Sequence, residues 1–491
     1  MALPTLVTFI LYLIAVFAIG WWAYRLTHNL SDYILGGRRL GPAVTALSAG
    51  ASDMSGWLLL GLPGAIYLTG LQESWIIVGL SIGAWCNWRF IAQRLRSYTE
   101  TSGDALTLPD FFDKRFRDQS RSLRIIAALI ILTFFTFYTA SGLVAGAKLF
   151  ASSFALNYYS ALLIGAFVIV SYTCAGGFLA VSWTDFAQSL LMLFALIAVP
   201  LMILYDQGGI SPAITSIEII SPEHLNLFEG LSAISFFSLM AWGLGYFGQP
   251  HILARFMAIR SAHEIPKARK IGMTWMVFTL VAAVLVGMGG LVEFAGTEQE
   301  TVLVTHNETV FILLTQHLFN PWIAGILLAA ILAAIMSTID SQLLVSSSAV
   351  TGDLYRGLLR PKASEKELLW VSRLTVLLIS LVAIAIASDP DNQVLSLVSY
   401  AWAGCGASFG PVIVLSLFWR KMTRNGALAG MIVGAVTVIV WKHLQGGIFD
   451  LYELLPAFLL GVLTIVIVSK IDQPVSQEID EEFELVMNKQ K

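Results

Sequence analysis

Apolar stretches of about twenty residues or more recur along the whole of this chain, and an α-helix needs a run of that length to cross the hydrocarbon core of a bilayer. Thirteen such segments are legible, near 5–25, 43–69, 74–94, 124–152, 159–177, 185–205, 233–256, 271–293, 321–349, 369–388, 395–418, 425–442 and 453–470. Of the 491 residues, 57% are hydrophobic and only 12% charged. A soluble domain carries about twice that charged share, so most of this chain cannot face water. The expectation is one all-α polytopic membrane protein. A net charge of −3 excludes the basic field that a nucleic-acid binder needs. The first run, Leu6 to Leu26, has no cationic segment before it and no small-residue cleavage site, so it reads as a retained span. Cys86, Cys174 and Cys405 lie far apart in apolar stretches, without disulfide or metal spacing, and read as small buried hydrophobes.

Basic residues give the orientation. One set of loops carries Arg38 and Arg39, then Lys114, Arg115, Arg117, Arg121 and Arg124, then Arg260, Lys267, Arg269 and Lys270, then Arg356, Arg360, Lys362 and Lys366, then Lys421 and Arg424. The opposite loops are nearly empty: 206–232 and 292–322 hold no Lys or Arg, and the second carries Glu293, Glu298, Glu300 and Glu308. The N-terminus is therefore expected outside and the C-terminus in the cytoplasm. The acidic end, Asp480 to Glu484, reads as a solvated tail without a packed core.

Two spans are interrupted. The second reads Leu47-Ser-Ala-Gly-Ala-Ser-Asp-Met-Ser-Gly-Trp57, and the seventh reads Trp242-Gly-Leu-Gly-Tyr-Phe-Gly-Gln-Pro250. Broken spans at corresponding positions point to a binding site between inverted repeats. An offset of five spans would make 43–205 and 206–418 the repeats, with 1–42 ahead of them, two extra spans over 419–470 and a tail over 471–491.

Asp53 stands in the first break. A carboxylate at a helix centre costs about 3 kcal/mol and is functional by default, as the partner of a cation; a structural ion pair or backbone cap is the alternative. An unwound turn also frees backbone carbonyls, which are hard ligands for a small cation. Ala334, Ser337 and Thr338 fall at i, i+3 and i+4, on one face of span 9. Their oxygens suit a sodium cage, or the pair is ordinary small-residue helix packing. Asp340 follows them, as an interface residue or part of an ion exit route. Trp242, Tyr246 and Pro250 fall at i, i+4 and i+8, which predicts one aromatic stripe for a small amphipathic solute, or a plain core face. Tyr138 ends the aromatic run Phe134-Phe-Thr-Phe-Tyr138 as a weaker candidate. Asp185 opens span 6, as a helix cap or on an ion path. Arg38 precedes span 2, as an inner gate or a positive-inside anchor. No P-loop, zinc motif or nucleophile elbow is present, so transport rather than an enzymatic reaction is expected, driven by an ion gradient.

At these residues the chain resembles the sodium/solute symporter family over roughly residues 4–470. The runs that carry the resemblance are Asp32-Tyr-Ile-Leu-Gly-Gly-Arg38, Thr45 to Trp57, Tyr172-Thr173 with Gly176-Gly-Phe-Leu-Ala180, Gly243 to Phe256 and Asn320-Pro-Trp-Ile-Ala-Gly-Ile-Leu327. The Ser-Asp-Met-Ser-Gly-Trp and Gly-Tyr-Phe-Gly-Gln-Pro-His runs point to its proline branch. The resemblance implies a LeuT-like five-plus-five inverted repeat and sodium-coupled uptake of L-proline by a monomer in a bacterial inner membrane. It implies one Na+ held by backbone oxygens of Ala51, Met54 and Ala334 and hydroxyls of Ser337 and Thr338, with Asp53 beside the ion. Ser55, Gly56 and Trp57 would border ion and substrate. Tyr138, Trp242, Tyr246 and Pro250 would shape the proline site, and Arg38 and Asp185 would govern cytoplasmic access and ion release. Asp340 departs from the proline branch and leaves the inner ion route open. Another amino acid, a sugar or a vitamin is the competing solute on the same fold. A membrane sensor is the competing class, and the roughly twenty residues after Lys470 leave it little room for a signalling domain.

Overall fold

The computed structural model describes residues 2–26, 30–173 and 177–488. Cys174 and Gly176, the first glycine of the Gly-Gly-Phe run, lie outside the described residues. Among the described residues the regular structure is helical and no strand forms; an isolated bridge joins Leu40 to Ile259. Ten of the described helices are long and apolar enough to cross a membrane.

Burial sorts these helices into a core and a shell. The windows in Pro321–Leu359 and Val394–Phe418 are 83% buried within the protein, against 28% for Leu3–Tyr24 and 33% for Glu365–Ala387. Sequence explains the sorting. The Pro321–Ser348 helix is lined by Ala329, Ala330, Ala333, Ala334, Ser337 and Ser341, and small side chains let neighbouring helices approach closely. The Glu365–Ala387 helix instead exposes Leu374, Leu377, Leu378 and Leu381, which suits a lipid-facing surface. Asn320 caps the central helix, its side-chain oxygen accepting from the N–H groups of Trp322 and Ile323 at 3.1 and 3.2 Å.

Both interruptions read from the sequence are present. The helix Pro42–Asp53 stops at Met54 (φ −81°, ψ 70°), and a widened turn, Trp57–Gly61, leads into Leu62–Thr69. The helix Ala233–Ala241 tightens into a 3-10 segment over Trp242–Gly248, becomes extended at Gln249 and restarts as Pro250–Ala258. Pro250 lacks an N–H and disfavours the helical conformation for the residue before it, which fixes the position of this second break.

Two expectations are corrected. The sixth span begins at Phe178, not at residue 185, so Asp185 lies two turns inside the helix Phe178–Asp206 and is not its cap. The acidic tail is not merely solvated: it forms the helix Gln477–Asn488, with Ile479, Phe483 and Val486 buried. These three recur at i, i+4 and i+7, a single apolar stripe. Phe483 packs edge-on against Tyr98 at 6.3 Å, while Arg420 pairs with Asp480 and Glu484 at 3.0 and 3.2 Å.

Candidate ion and substrate site

A helix that stops inside the protein leaves its last carbonyls without partners, and they must be satisfied elsewhere. At the first break this is done by side chains from other helices. The Ala51 carbonyl accepts from Ser337 Oγ at 2.8 Å and from Thr338 Oγ1 at 3.4 Å. The same two hydroxyls lie 3.1 and 3.2 Å from the Ala334 carbonyl, so each shares its single proton between the two carbonyls. Four oxygens from two helices thus converge with their residues essentially sealed from solvent. Rotation of either hydroxyl would turn its lone pairs toward a hard cation, whose preferred ligands are oxygens. The face predicted from the i, i+3, i+4 spacing is therefore real.

The Asp53 carboxylate points elsewhere, accepting from the Tyr246 hydroxyl at 2.5 Å. Its backbone carbonyl accepts from the Tyr138 hydroxyl at 3.1 Å. Met54 is fully buried at the turn, its N–H returned to the Gly50 carbonyl at 2.9 Å. Gly56 is packed so that a Cβ there would meet Ala145 at 2.9 Å and Ile335 at 3.3 Å. Ser55 Oγ accepts from the Trp57 N–H at 3.4 Å, closing the turn beside it.

An aromatic cluster adjoins the break. Trp57 and Trp242 lie 6.2 Å apart, Trp242 stacks on Tyr452 at 5.3 Å, and Tyr246 meets Trp402 edge-on at 5.1 Å. The single stripe of Trp242, Tyr246 and Pro250 does not exist. A 3-10 segment advances three residues per turn, so residues four apart diverge, and the extended Gln249 separates Pro250 from both. Pro250 instead lines a cavity of about 30 Å³ with Leu106, Thr107, Met257, Leu344 and Ser348. Beyond Thr107 a wider cleft of about 390 Å³ is lined by Asp110, Arg124, Asp353 and Arg356.

Below the four oxygens lies a buried polar layer. Asp185 pairs with Arg255 at 3.1 Å and accepts from Ser48 at 2.7 Å. Asp340 accepts from the Thr173 hydroxyl. Among the described residues, Asp185 Oδ1 and Asp340 Oδ2 have no hydrogen-bond partner. Arg38 stands apart at the end of the bundle, donating to Met257 O at 2.6 Å, Ala105 O at 2.8 Å and Thr99 at 3.2 Å while pairing with Asp104 at 2.8 Å. Burial and the neighbouring Arg96 pull its guanidinium below the ordinary arginine value.

Known proteins resemble this chain over nearly its whole length. The model of the sodium:solute symporter family matches residues 33–434. This chain belongs to that family. It is 58% identical to the sodium/proline symporter of Salmonella typhimurium over 481 residues, spanning 98% of this chain and 95% of the relative. It is 53% identical to the high-affinity proline transporter PutP of Bacillus subtilis, spanning 95% of this chain and 98% of the relative. It is 50% identical to the osmoregulated proline transporter OpuE of the same organism, spanning 96% and 95%. Among solved structures, a substrate-bound, outward-open sodium-coupled sialic acid symporter superposes with TM-score 0.80 at 19% identity, covering 96% of this chain and 99% of that one. The chain is thus a multi-pass membrane transporter of bacterial type, with sodium as its coupling ion.

Residues that no sequence motif singles out also pack around the two breaks. Trp402 donates through Nε1 to the Trp242 carbonyl at 2.8 Å and accepts on its own carbonyl from Gln249 at 3.0 Å. Its signal was a lone large side chain in the small-residue run Ala401-Trp-Ala-Gly-Cys-Gly-Ala407. Gly245 matches it, since any Cβ there would overlap the Trp402 indole. Asn87 donates to the Tyr246 carbonyl at 2.9 Å and pins the 3-10 segment. Arg255 was visible as a charge within an apolar run, by the rule that selected Asp53.

Proposed function

We propose that this chain takes up L-proline together with sodium by alternating access. The observation that carries the reading is the convergence of the Ala51, Ala334, Ser337 and Thr338 oxygens directly behind the break that bears Asp53. Three relatives at 50–58% identity over nearly the whole chain are proline transporters, which supports proline as the solute. In this reading the Met54 carbonyl joins the four oxygens around the ion, and Asp53 balances its charge through the adjoining turn. Binding sodium draws the Pro42–Asp53 and Pro321–Ser348 helices together and fixes the loosened turn at Ser55, Gly56 and Trp57. The substrate carboxylate then meets the positive end of the half-helix that restarts after that turn. The pyrrolidine ring packs among Tyr138, Trp242 and Tyr246. Pro250 borders the way out toward the cleft beyond Thr107. Asp185 and Asp340, each with one oxygen that meets no partner among the described residues, line the inward path of the ion, and Arg38 latches its mouth.

The architecture that fits is thirteen spans in a LeuT-like fold, with repeats over 43–205 and 206–418 and a break in the first span of each. The N-terminus lies outside and the C-terminus in the cytoplasm, as the loop charges require. The monomer is the working unit, since both breaks and the central helix come from one chain. Binding of labelled L-proline to the purified protein, titrated with sodium and challenged with other amino acids, sugars and vitamins, tests the solute. Sodium-dependent binding displaced by unlabelled proline alone supports the proposal. Displacement by a different solute at lower concentration refutes proline while keeping the ion site.

A further inference from the structure

The four converging oxygens lie between the Pro42–Asp53 and Pro321–Ser348 helices, whereas Trp242 and Tyr246 lie on the second broken span, and symport requires that filling one site strengthens the other. Besides the Asp53–Tyr246 contact, one buried side chain of that second span bridges the two helices. Arg255 is fully buried on the helix Pro250–Ala258, which follows the second break. Its Nε donates to Ser48 Oγ at 3.1 Å, and its Nη2 donates to Ser341 Oγ at 2.5 Å and to Asp185 Oδ2 at 3.1 Å. Its Nη1 returns to the His251 carbonyl at 2.9 Å, and the guanidinium lies 5.1 Å from the centre of the Phe178 ring.

The positions of the two serines give this contact its meaning. Ser48 lies three residues before Ala51, and Ser341 lies four after Ser337 and three after Thr338. Each is therefore one helical turn below the ion oxygens, on the same face. The guanidinium fork spans the gap between the two helices that sodium would draw together. A planar fork has several donors in fixed directions, and an ammonium does not. Asp185 supplies the countercharge, itself held by Ser48 at 2.7 Å.

We infer that Arg255 is the positioning residue that couples the two sites, an inference that rests on the proposed sodium/proline reading. When sodium closes the gap between Ser48 and Ser341, the fork holds the Pro250–Ala258 helix in one place. That placement sets the 3-10 segment with Trp242 and Tyr246. Loss of sodium releases the fork and the aromatic wall together. Coupling of this kind is reciprocal: the factor by which sodium tightens proline equals the factor by which proline tightens sodium.

The test measures that factor. Half-saturating sodium is determined at trace and at saturating proline for the native protein, S48A, S341A and R255K. The serine variants keep the Arg255–Asp185 ion pair, and R255K keeps the charge, so none leaves Asp185 buried without a cation. The inference expects the coupling factor to fall roughly tenfold or more in each variant, the loss of one hydrogen bond to a charged group. A merely structural role lowers the melting temperature and leaves this ratio alone. Native coupling in R255K and both serine variants would overturn the inference while leaving the symport reading intact. Absence of sodium-dependent proline binding in the native protein would overturn both.

Discussion

The carboxylate of Asp53 and the hydroxyl of Tyr246 meet at 2.5 Å, joining the helix end at one break to the 3-10 part of the other interrupted span. Both groups are buried, and the Tyr246 hydroxyl also lies 3.9 Å from Met276 Sδ. The sequence separation of 193 residues is closed by the packing of the two breaks side by side.

This contact predicts non-additivity. D53N and Y246F should each weaken proline binding at fixed sodium, and the double variant should be little worse than either alone. The coupling energy should be about 1–3 kcal/mol, since a buried charged hydrogen bond is lost once rather than twice. Binding isotherms for the four proteins measure it; strictly additive losses would show that the contact is not used.

Removing one hydroxyl from the converging oxygens should act on the ion first. S337A and T338A are expected to raise half-saturating sodium roughly tenfold or more, with the proline affinity at saturating sodium changed far less. Ser337 makes the shorter contact to Ala51, so its loss should be the larger. Sodium titrations of proline binding check both points.

Lys148, partly exposed, pairs with the buried Glu308 at 2.6 Å, and Glu308 also accepts from the N–H groups of Val394 and Leu395 at 3.0 Å each, at the start of the Val394–Phe418 helix. Breaking one partner of such a pair costs about 3–5 kcal/mol because the other charge stays buried. K148M should therefore melt well below the native protein in detergent, and K148M/E308Q should recover part of the loss. No recovery would mean that the helix-end contacts of Glu308 outweigh the pair.

For the tail helix, apolar burial should dominate charge. The Arg117–Glu482 and Arg420–Glu484 pairs are half-exposed on at least one side, and such pairs are worth about 0–1 kcal/mol. Removing the Phe483 ring should cost several times more. F483A is predicted to expose the tail to protease at ordinary salt, whereas E482Q and E484Q should leave it protected. The reverse order would mark an electrostatic latch.

Asp118 gives a pH dependence with a definite sign. Burial pushes its carboxyl up, but hydrogen bonds from Ser120, the Leu123 N–H and Arg424 outweigh this and hold it below the ordinary aspartate value. A depressed carboxyl contributes stability above its unfolded value, about 3.9, and loses it as pH falls through the folded one. D118N should melt lower than the native protein at neutral pH, and the gap should close below about pH 4. A gap independent of pH would assign the effect to shape alone.

Sequence carried the local part of this account. Asp53 stood out because hydrocarbon penalises charge, and Ser337 with Thr338 because helical spacing puts them on one face. The breaks were legible from clustered Gly and Pro. The Tyr246 contact and the bridging role of Arg255 were not, because both depend on which helices become neighbours. The stripe over Trp242, Tyr246 and Pro250 failed because an α-helical period was applied to a 3-10 segment. The tail helix was obscured by its acidic residues, which hid three well-spaced apolar ones.

The most direct test is uptake of labelled L-proline by proteoliposomes containing the purified protein, with and without an inward sodium gradient. The account predicts accumulation above equilibrium only with the gradient, abolished by a sodium ionophore and greatly reduced in S337A. Accumulation that is indifferent to sodium, or none with sodium present, would contradict it.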